Sequence, residues 1–412
     1  MNILHVLRSL DPSQGGPPVV AACLASAQAA LGHRVGLAYT RPDSGVDRAE
    51  VLLASVPGIR HVELLPVTLA PSLPLGLPVL AGALRGLAAG RDVLHLHGVW
   101  DPVLPLAARA ARASGAPYVL TPHGMLDPWC LAQKRLKKRL ALRLLYADML
   151  RGARFLHALN TVERDHIRAL DQAFRLDLRL PQGLVVLPNG LFRKELEAMA
   201  AGNPDSQGFD AARGPSGRPY ALFLGRLHFK KGLDILAGAF RLVAETVPEA
   251  DLVVAGPDEG AGEEFRRTIK GFGLAGRVRL PGPLYGADKL DALRGAACFC
   301  LPSRQEGFSM AALEALGCGI PVVLSRQCNF PEAEAAGAGR CVDLTPQAVA
   351  DAMATYLTDA LENPAQCRSA GQAGRALVAA RYTWEAIAAD MLAAYGAADA
   401  KRTRGADRRG GT

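Results

Sequence analysis

Two carboxylates, Glu306 and Glu314, flank a short apolar run in "RQEGFSMAALEALGCGIPVV", residues 304–323. The preceding "AACFCLPS" reads as a buried strand and "RQEG" as the loop leaving its carboxyl end. Ser309 suits the N-cap of a helix over "MAALEALG", and Gly317 or Gly319 supplies its stop. Glu306 then stands at the mouth of the strand, and Glu314 on the second turn of the helix, on a face that can border the same pocket. Gly307 permits a tight turn between them. The free N–H groups near Ser309 and Met310 point outward, at a helix end carrying roughly half a positive charge. Such an end takes a phosphate with little further help.

A second stretch complements the first. "LFLGRLHFKKG", residues 222–232, runs from a strand into Gly225, Arg226 and then Lys231 and Gly232. Glycine at a strand end allows a ligand close to the backbone; Arg226 offers a planar fork and Lys231 a compact cation. A solvated basic turn is the competing reading, weakened by the helix end described above in the same half of the chain. Toward the amino terminus, "DPSQGGPPVV" places Gly15 and Gly16 after the first strand, with Pro17 or Pro18 at the first helical position. It is not G-x-G-x-x-G, so a dinucleotide fingerprint is absent. "DVLHLHGVWDP" sets His95 and His97 on one face of a strand, and "YVLTPHGMLDPW" ends another strand with His123 and Gly124. Three histidines raise a metal site. No carboxylate shows ligand spacing with them, so an interior His95, with His97 and His123 lining a cleft, is preferred.

The elements that must position these groups follow from the apolar pattern. "NILHVL", "RVGLAY", "DVLHLH", "PYVLTP", "FLHALN" and "LVVLPN" read as strands in the first half, and "YALFLG", "DLVVAG", "VRLPG", "CFCLPS" and "PVVLS" in the second. Strands alternating with helical patterns, and nearly continuous in apolar residues, argue for parallel sheets covered on both faces. The pattern restarts after a Gly-, Pro- and Ser-rich stretch, so the expected fold class is α/β. Two doubly wound, Rossmann-like domains are expected, residues 1–200 and 219–383, joined by a linker at 201–218. A helix over 384–398 is expected to return to the first domain, followed by a basic tail at 399–412. Ligands of such domains bind beyond the carboxyl ends of the strands, and the default site is a central cleft between the two.

Composition narrows the classes. The chain has 412 residues, half of them hydrophobic, and a net charge of +8; that is ample for buried cores and argues against disorder. The charge alone does not choose among lipid, nucleic acid and phosphate-bearing substrates. Eight cysteines occur without a C-x-x-C pair, so buried free thiols are expected rather than zinc or redox chemistry. The first ten residues are too soon interrupted for a signal peptide, and no run approaches the ~20 apolar residues of a spanning helix. The expectation is a cytoplasmic protein, either free or peripheral at the inner face of the plasma membrane.

"GRLHFKKG" and "EGFSMAALE", followed by "GCGIPVV", resemble the retaining glycosyltransferases of glycosyltransferase family 4, with the two-domain GT-B fold. The two glutamates separated by seven residues are that family's hallmark. "GGPPVVAACLASAQAALGHRV", "TPHGMLDPW", "VLPNG" and "YTW" extend the resemblance over nearly all of residues 1–398. "HLHGVWDP" and "TPHGMLDPW" look particularly like bacterial transferases of exopolysaccharide or lipopolysaccharide assembly. The resemblance implies that Arg226 and Lys231 hold the diphosphate of a UDP- or GDP-sugar and that Glu314 bonds the ribose. It implies that Glu306 contacts the donor sugar near the reacting carbon, and that Gly307 and the backbone of Phe308, Ser309 and Met310 meet the distal phosphate. Family members generally have Gly where this chain has Ser309. Gly16 would close against the donor phosphate, and His123 would stand against the sugar and its leaving phosphate. His97, Trp100, Asp101, Asp127 and Trp129 are candidates on the acceptor side, with Trp packing in the core as the alternative.

No D-x-D triplet occurs. Where many nucleotide-sugar enzymes carry a divalent metal, this chain is expected to use Arg226, Lys231 and the helix end, with no metal or cofactor and with retention at the anomeric carbon. The acceptor class implied is a saccharide or a polyprenyl-diphosphate-linked saccharide. "AQKRLKKRLALRLLY", residues 132–146, mixes cations and leucines at helical spacing; it reads equally as a helix on anionic lipid or as one whose leucines face the core. The family's lipid-linked acceptors favour the membrane. An epimerase of similar architecture and a non-catalytic nucleotide-sugar binder are the alternatives; nucleic acid is not expected, since the cations lack interleaved aromatics.

Overall fold

The computed structural model describes residues 1–11, 15–41, 49–68, 76–178, 180, 183–201 and 218–406. It divides into two compact units, Met1–Asn189 with Trp384–Thr412, and Gly190–Thr383. Each holds one parallel sheet flanked by helices.

The first sheet comprises Asn2–Leu7 (β1), Arg34–Arg41 (β2), Glu63–Thr68 (β3), Val93–His97 (β4), Tyr118–Thr121 (β5), Leu156–Ala158 (β6) and Leu184–Val186 (β7). Its spatial order is β3-β2-β1-β4-β5-β6-β7. The second comprises Tyr220–Leu224 (β8), Asp251–Ala255 (β9), Val278–Gly282 (β10), Cys298–Leu301 (β11), Val322–Ser325 (β12) and Gly339–Val342 (β13), ordered β10-β9-β8-β11-β12-β13. The central strands are buried along their whole length: "YALFL", "DLVVA", "CFCL" and "VVLS" present no exposed residue. That is what a parallel sheet covered on both faces demands. Two strands escape the apolar pattern, β3 and β13, and both lie on sheet edges. β3 "ELLPVT" carries Pro66, which an edge strand tolerates because no ladder donor is needed on its open side.

The division between the units differs from the one expected. The sequence marks residues 201–218 as linker, and 202–217 lie outside the described residues. The second unit already begins at Gly190. The helix Arg193–Ala201 packs against the helix Met310–Gly317: a Cβ on Gly317 would stand 3.0 Å from Leu196 and from Met199. Leu191 N–H donates to Tyr382 O at 2.9 Å, and Arg294 donates to Ala198 O at 2.7 Å. These contacts tie residues 190–201 to the second sheet's helices, which composition cannot reveal. The carboxy-terminal helix, Trp384–Ala406, belongs to the first unit and packs on the helix Gly16–Ala30. It continues past residue 398 through "DAKRTRGA", where Ala, Lys and Arg are good helix formers. No described helix is long and apolar enough to cross a membrane.

Candidate functional site

In the second unit the chain runs from β8 outward to β9 and β10, then returns to the other side of β8 as β11. The loops leaving β8 and β11 therefore diverge at a topological switch point, where open α/β sheets bind ligands. "GRLHFKKG" and "SRQEGFS" are those two loops.

Gly232 lets them close on each other. It has φ +71°, and a Cβ there would fall 1.9 Å from Pro302 O. With glycine in place the turn Phe229–Lys231 lies against residues 302–306. Arg304 N–H donates to Lys230 O at 2.7 Å. The Arg304 fork grips both oxygens of Asp234 at 2.8 and 2.7 Å and lies 3.9 Å over the Phe229 ring. This frame delivers Lys231 Nζ to 2.6 Å from Glu306 Oε1, which also accepts the Ser303 hydroxyl at 2.6 Å. The backbone of Glu306 is pinned by Gln327 O at 3.1 Å and Asn329 Nδ2 at 2.9 Å. Glu306 is 7% exposed. Burial pushes its carboxyl up, but Lys231, Lys230 and the hydroxyl bond outweigh that and hold it below the usual carboxylate range.

The helix Met310–Gly317 opens beside this pair. Ser309 is its N-cap, Oγ accepting from Ala312 N–H at 3.2 Å. Gly307 lies in the loop before the cap. The Phe308 ring is packed against Phe330 and Tyr382, at 5.5 and 5.9 Å between centroids. Met310 opens the helix. The other two expected groups have partners of their own. Arg226, 40% exposed along its side chain, pairs with Glu259 at 2.8 Å. Glu314 Oε1 accepts from Lys289 Nζ at 2.9 Å, and that carboxylate raises the Lys289 ammonium above its ordinary value. The structure thus joins Lys231 to Glu306 and adds Ser303, Asn329, Glu259 and Lys289. Lone charges in separate segments carry no sequence signal for such pairings.

In the first unit the strand order reverses between β1 and β4. Gly16 is the exposed first residue of its helix, and a Cβ on it would meet nothing within 4 Å. His123 follows β5 with φ +55°, a left-handed conformation that histidine adopts more readily than most residues. Gly124 N–H beside it donates to Glu163 Oε1 at 2.6 Å, and Leu159 N–H to Oε2 at 2.8 Å. Glu163 is buried, and burial pushes its carboxyl up to about 7 against the pull of those two bonds. Sequence reasoning missed it; "NTVE", with Asn160 capping Glu163 N–H at 2.8 Å, is the signal that was there.

His97 corrects an expectation. It does not line an open surface but is 4% exposed, its nitrogens taken by His5 and His123. His5, His95 and His97 bring ligand atoms within 4.8 Å of one another. All six ring nitrogens already have hydrogen-bond partners, so a metal ion would have to displace that network. Trp100 donates to Met125 O at 3.1 Å and sits edge-on to Tyr146 at 5.5 Å; Asp127 caps Trp129 N–H and meets His166 at 3.1 Å. These contacts account for both side chains without a ligand.

Residues 132–146 are not one regular helix. Lys134 is left-handed, Arg135–Ala141 is helical, and Leu142–Tyr146 widens to an i→i+5 pattern. Leu142 and Tyr146 turn inward, while Leu136, Leu140, Leu144 and Leu145 are 59–81% exposed. The reading in which those four leucines face the core is therefore excluded.

Comparison with known proteins decides the family. The "Glycosyl transferase 4-like domain" model matches residues 15–190 and "Glycosyl transferases group 1" matches 208–376. The chain belongs to the family 4 glycosyltransferases of the GT-B fold. This transferase-family chain is 31% identical over 226 residues to a D-inositol 3-phosphate glycosyltransferase of Segniliparus rotundus, covering 53% of this chain and 48% of that one. It is 24% identical over 326 residues to a GDP-mannose-dependent monoacylated alpha-(1-6)-phosphatidylinositol monomannoside mannosyltransferase of Corynebacterium glutamicum, covering 76% and 79%. The matches span about half or less of the first curated relatives' length. Among solved structures, Anabaena Alr3699/HepE, in complex with UDP and glucose, aligns with TM-score 0.73 at 19% identity over 96% of this chain and 100% of that one.

Proposed function

We propose that this GT-B protein is a retaining hexosyltransferase. Its donor would be a UDP- or GDP-linked hexose. Its acceptor would be a saccharide, free or carried on a polyprenyl diphosphate, in bacterial polysaccharide assembly. The observation that carries the reading is the buried Lys231–Glu306 pair at the β8/β11 switch point, beside the helix end capped by Ser309. A cation and a carboxylate held this way serve opposite ends of a sugar diphosphate. Lys231, with Arg226, would take the phosphates as negative charge grows on the leaving group. Fixed positive charge aimed at a departing group contributes on the order of a few kcal/mol per donor to the barrier. Glu306 would orient sugar hydroxyls near the anomeric carbon, and Glu314 would accept from the ribose. Gly307 and the N–H groups from Phe308 to Met310 would face the distal phosphate. His123 would accept a hydrogen bond from a hydroxyl of the sugar or acceptor, and Gly16 would leave room for phosphate.

No metal is assigned to this chemistry, since the cations and the helix end fill the role a divalent ion takes elsewhere. Leaving-group departure would run ahead of attack, with the acceptor entering on the same face. The exposed leucines at 136, 140, 144 and 145, interleaved with Lys134, Arg135, Lys137, Arg139 and Arg143, support contact with an anionic membrane surface. A cytoplasmic protein peripheral at the inner face of the plasma membrane fits that surface.

The test is a thermal-shift screen against UDP-, GDP- and ADP-sugars, then product analysis with and without saccharide acceptor and EDTA. The reading expects stabilisation by one base class and transfer to acceptor with retained configuration, undiminished by EDTA. Sugar interconversion without acceptor would instead reveal an epimerase. Binding without any turnover would reveal a binding protein, and activity restored only by added metal would remove the metal-free mechanism.

A further inference from the structure

Eight side chains of the first unit form one unbroken hydrogen-bonded chain that ends at His123. Its far end is Leu187 O, 2.7 Å from His157 Nε2. From there it runs through Thr121, 2.7 Å from His157 Nδ1, to His95 Nε2 at 2.6 Å. His95 Nδ1 meets the Tyr395 hydroxyl at 2.6 Å, and Gln28 Nε2 reaches that oxygen at 3.4 Å. Gln28 Oε1 lies 2.8 Å from His5 Nε2, His5 Nδ1 2.9 Å from His97 Nε2, and His97 Nδ1 3.1 Å from His123 Nε2. The members come from β1, β4, β5, β6, the helix Gly16–Ala30 and the carboxy-terminal helix, with His123 in the loop that follows β5.

The direction of every link follows from the first. A carbonyl only accepts, so His157 Nε2 carries a proton. The ring is buried and neutral, which leaves Nδ1 a bare lone pair, and Thr121 must donate to it. The Thr121 hydroxyl has one proton, so its oxygen accepts from His95 Nε2–H. His95 Nδ1 then accepts from Tyr395, whose oxygen takes the Gln28 N–H. That orients the Gln28 amide with its oxygen toward His5, so His5 Nε2 donates. By the same step His97 Nε2 donates to His5, and His123 Nε2 donates to His97. Neutrality is enforced by burial and by ring stacking: the centroids of His95 and His97 are 4.3 Å apart, those of His5 and His97 5.2 Å, and those of His97 and His123 5.3 Å. One added proton would also break a link.

We infer that this chain is a positioning device that locks His123 in a single tautomer, Nε2 protonated and Nδ1 an unprotonated acceptor. Among the described residues no protein group is bonded to that Nδ1, and His123 is the chain's partly exposed member. A bare imidazole nitrogen in fixed orientation selects a hydroxyl donor, such as a sugar hydroxyl, and rejects an acceptor. Tyr395, far along the sequence on the last helix, thereby acts on His123 through three intervening side chains. The assignment to a sugar hydroxyl rests on the transferase reading; the tautomer lock does not.

The experiment is two-bond ¹⁵N–¹H spectroscopy of histidine-labelled full-length protein at pH 7.5, with no sugar present, and His123 assigned by its absence in His123→Gln. All five ring systems should show a protonated Nε2 and an unprotonated Nδ1. The Nε2–H signals of the buried rings should persist against exchange with water. In Tyr395→Phe, which keeps the ring, the Gln28 amide is freed to turn. His157 and His95 should keep their tautomer, because Leu187 still sets it. His5, His97 and His123 should lose the single-tautomer pattern, the Nδ1 signals averaging toward the protonated position. Thr121→Val, cut on the other side of His95, should release His95 while leaving His157 fixed. A protonated Nδ1 at any of the five in the wild-type protein would overturn the inference, as would an unchanged His123 in Tyr395→Phe. Neither result depends on whether the protein transfers sugar.

Discussion

Acidification should unfold the first unit before most carboxylates begin to titrate. His5, His95, His97 and His157 are each at most 4% exposed. Burial is the leading cause that lowers all four, His5 and His157 to about 4 and the other two well below their ordinary value. A group depressed on folding contributes stability that is complete above its unfolded value, about 6.5 for histidine. That stability is lost as the pH falls toward the folded value. At pH 5 each such histidine has withdrawn about 2 kcal/mol, so the four together withdraw ~8 kcal/mol. Glu163 works against them. Its carboxyl is raised to about 7, so between pH 7 and about 4.5 the folded state holds a proton that the unfolded chain has lost, and roughly 2–3 kcal/mol returns by pH 5. The net loss of ~5–6 kcal/mol compares with a whole-domain stability of about 5–15 kcal/mol. All three tryptophans, Trp100, Trp129 and Trp384, belong to the first unit, so fluorescence-monitored urea unfolding reads that unit alone. Its midpoint should fall by ~2 M between pH 7.5 and pH 5. A midpoint constant to within ~0.3 M would refute the claim that these imidazoles are buried and neutral.

Removing Lys231 should destabilise the second unit by about 3 kcal/mol, because Glu306 is left buried without its cation. Adding Glu306→Gln to Lys231→Ala should restore most of that, and calorimetry that finds Lys231→Ala neutral would contradict the buried pair. Gly232→Ala should cost ~3 kcal/mol or more, since both the left-handed backbone and Pro302 O oppose a Cβ; a loss under ~1 kcal/mol would show that the two loops are not in close contact. Replacing Leu140 and Leu144 with Ser should reduce cosedimentation with phosphatidylglycerol vesicles several-fold while leaving the thermal midpoint unchanged. Equal binding by the variant would assign those leucines no membrane role.

Much of the fold was readable because central parallel strands must be apolar on both faces. "NILHVL" coincides with the interior strand β1 to the residue, and "DLVVAG" overruns the interior strand β9 by a single residue. The strands that escaped, "ELLPVT" and "GRCV", are edge strands, where one side is open and the apolar run is diluted. The β8 and β11 loops were legible because glycine, cations and an N-cap serine have local causes. Which charge meets which was not: Arg226 finds Glu259 and Glu314 finds Lys289 across stretches with no shared pattern. The histidine chain was hidden for the same reason. "DVLHLH" shows two inward imidazoles, but only the assembled sheet and the last helix reveal Gln28, Tyr395 and His157 beside them.

The most direct test of the β8/β11 site is calorimetric titration of UDP-glucose and GDP-mannose into the wild-type protein, Arg226→Ala, and the charge-balanced Lys231→Ala/Glu306→Gln double variant. Each lost charge-assisted contact is worth about 1.5–3 kcal/mol, so the account predicts binding of one nucleotide-sugar by the wild type and a ~10- to 100-fold weaker Kd in each variant. Wild-type affinity in both variants, or no binding of any nucleotide-sugar by the wild type, would contradict it.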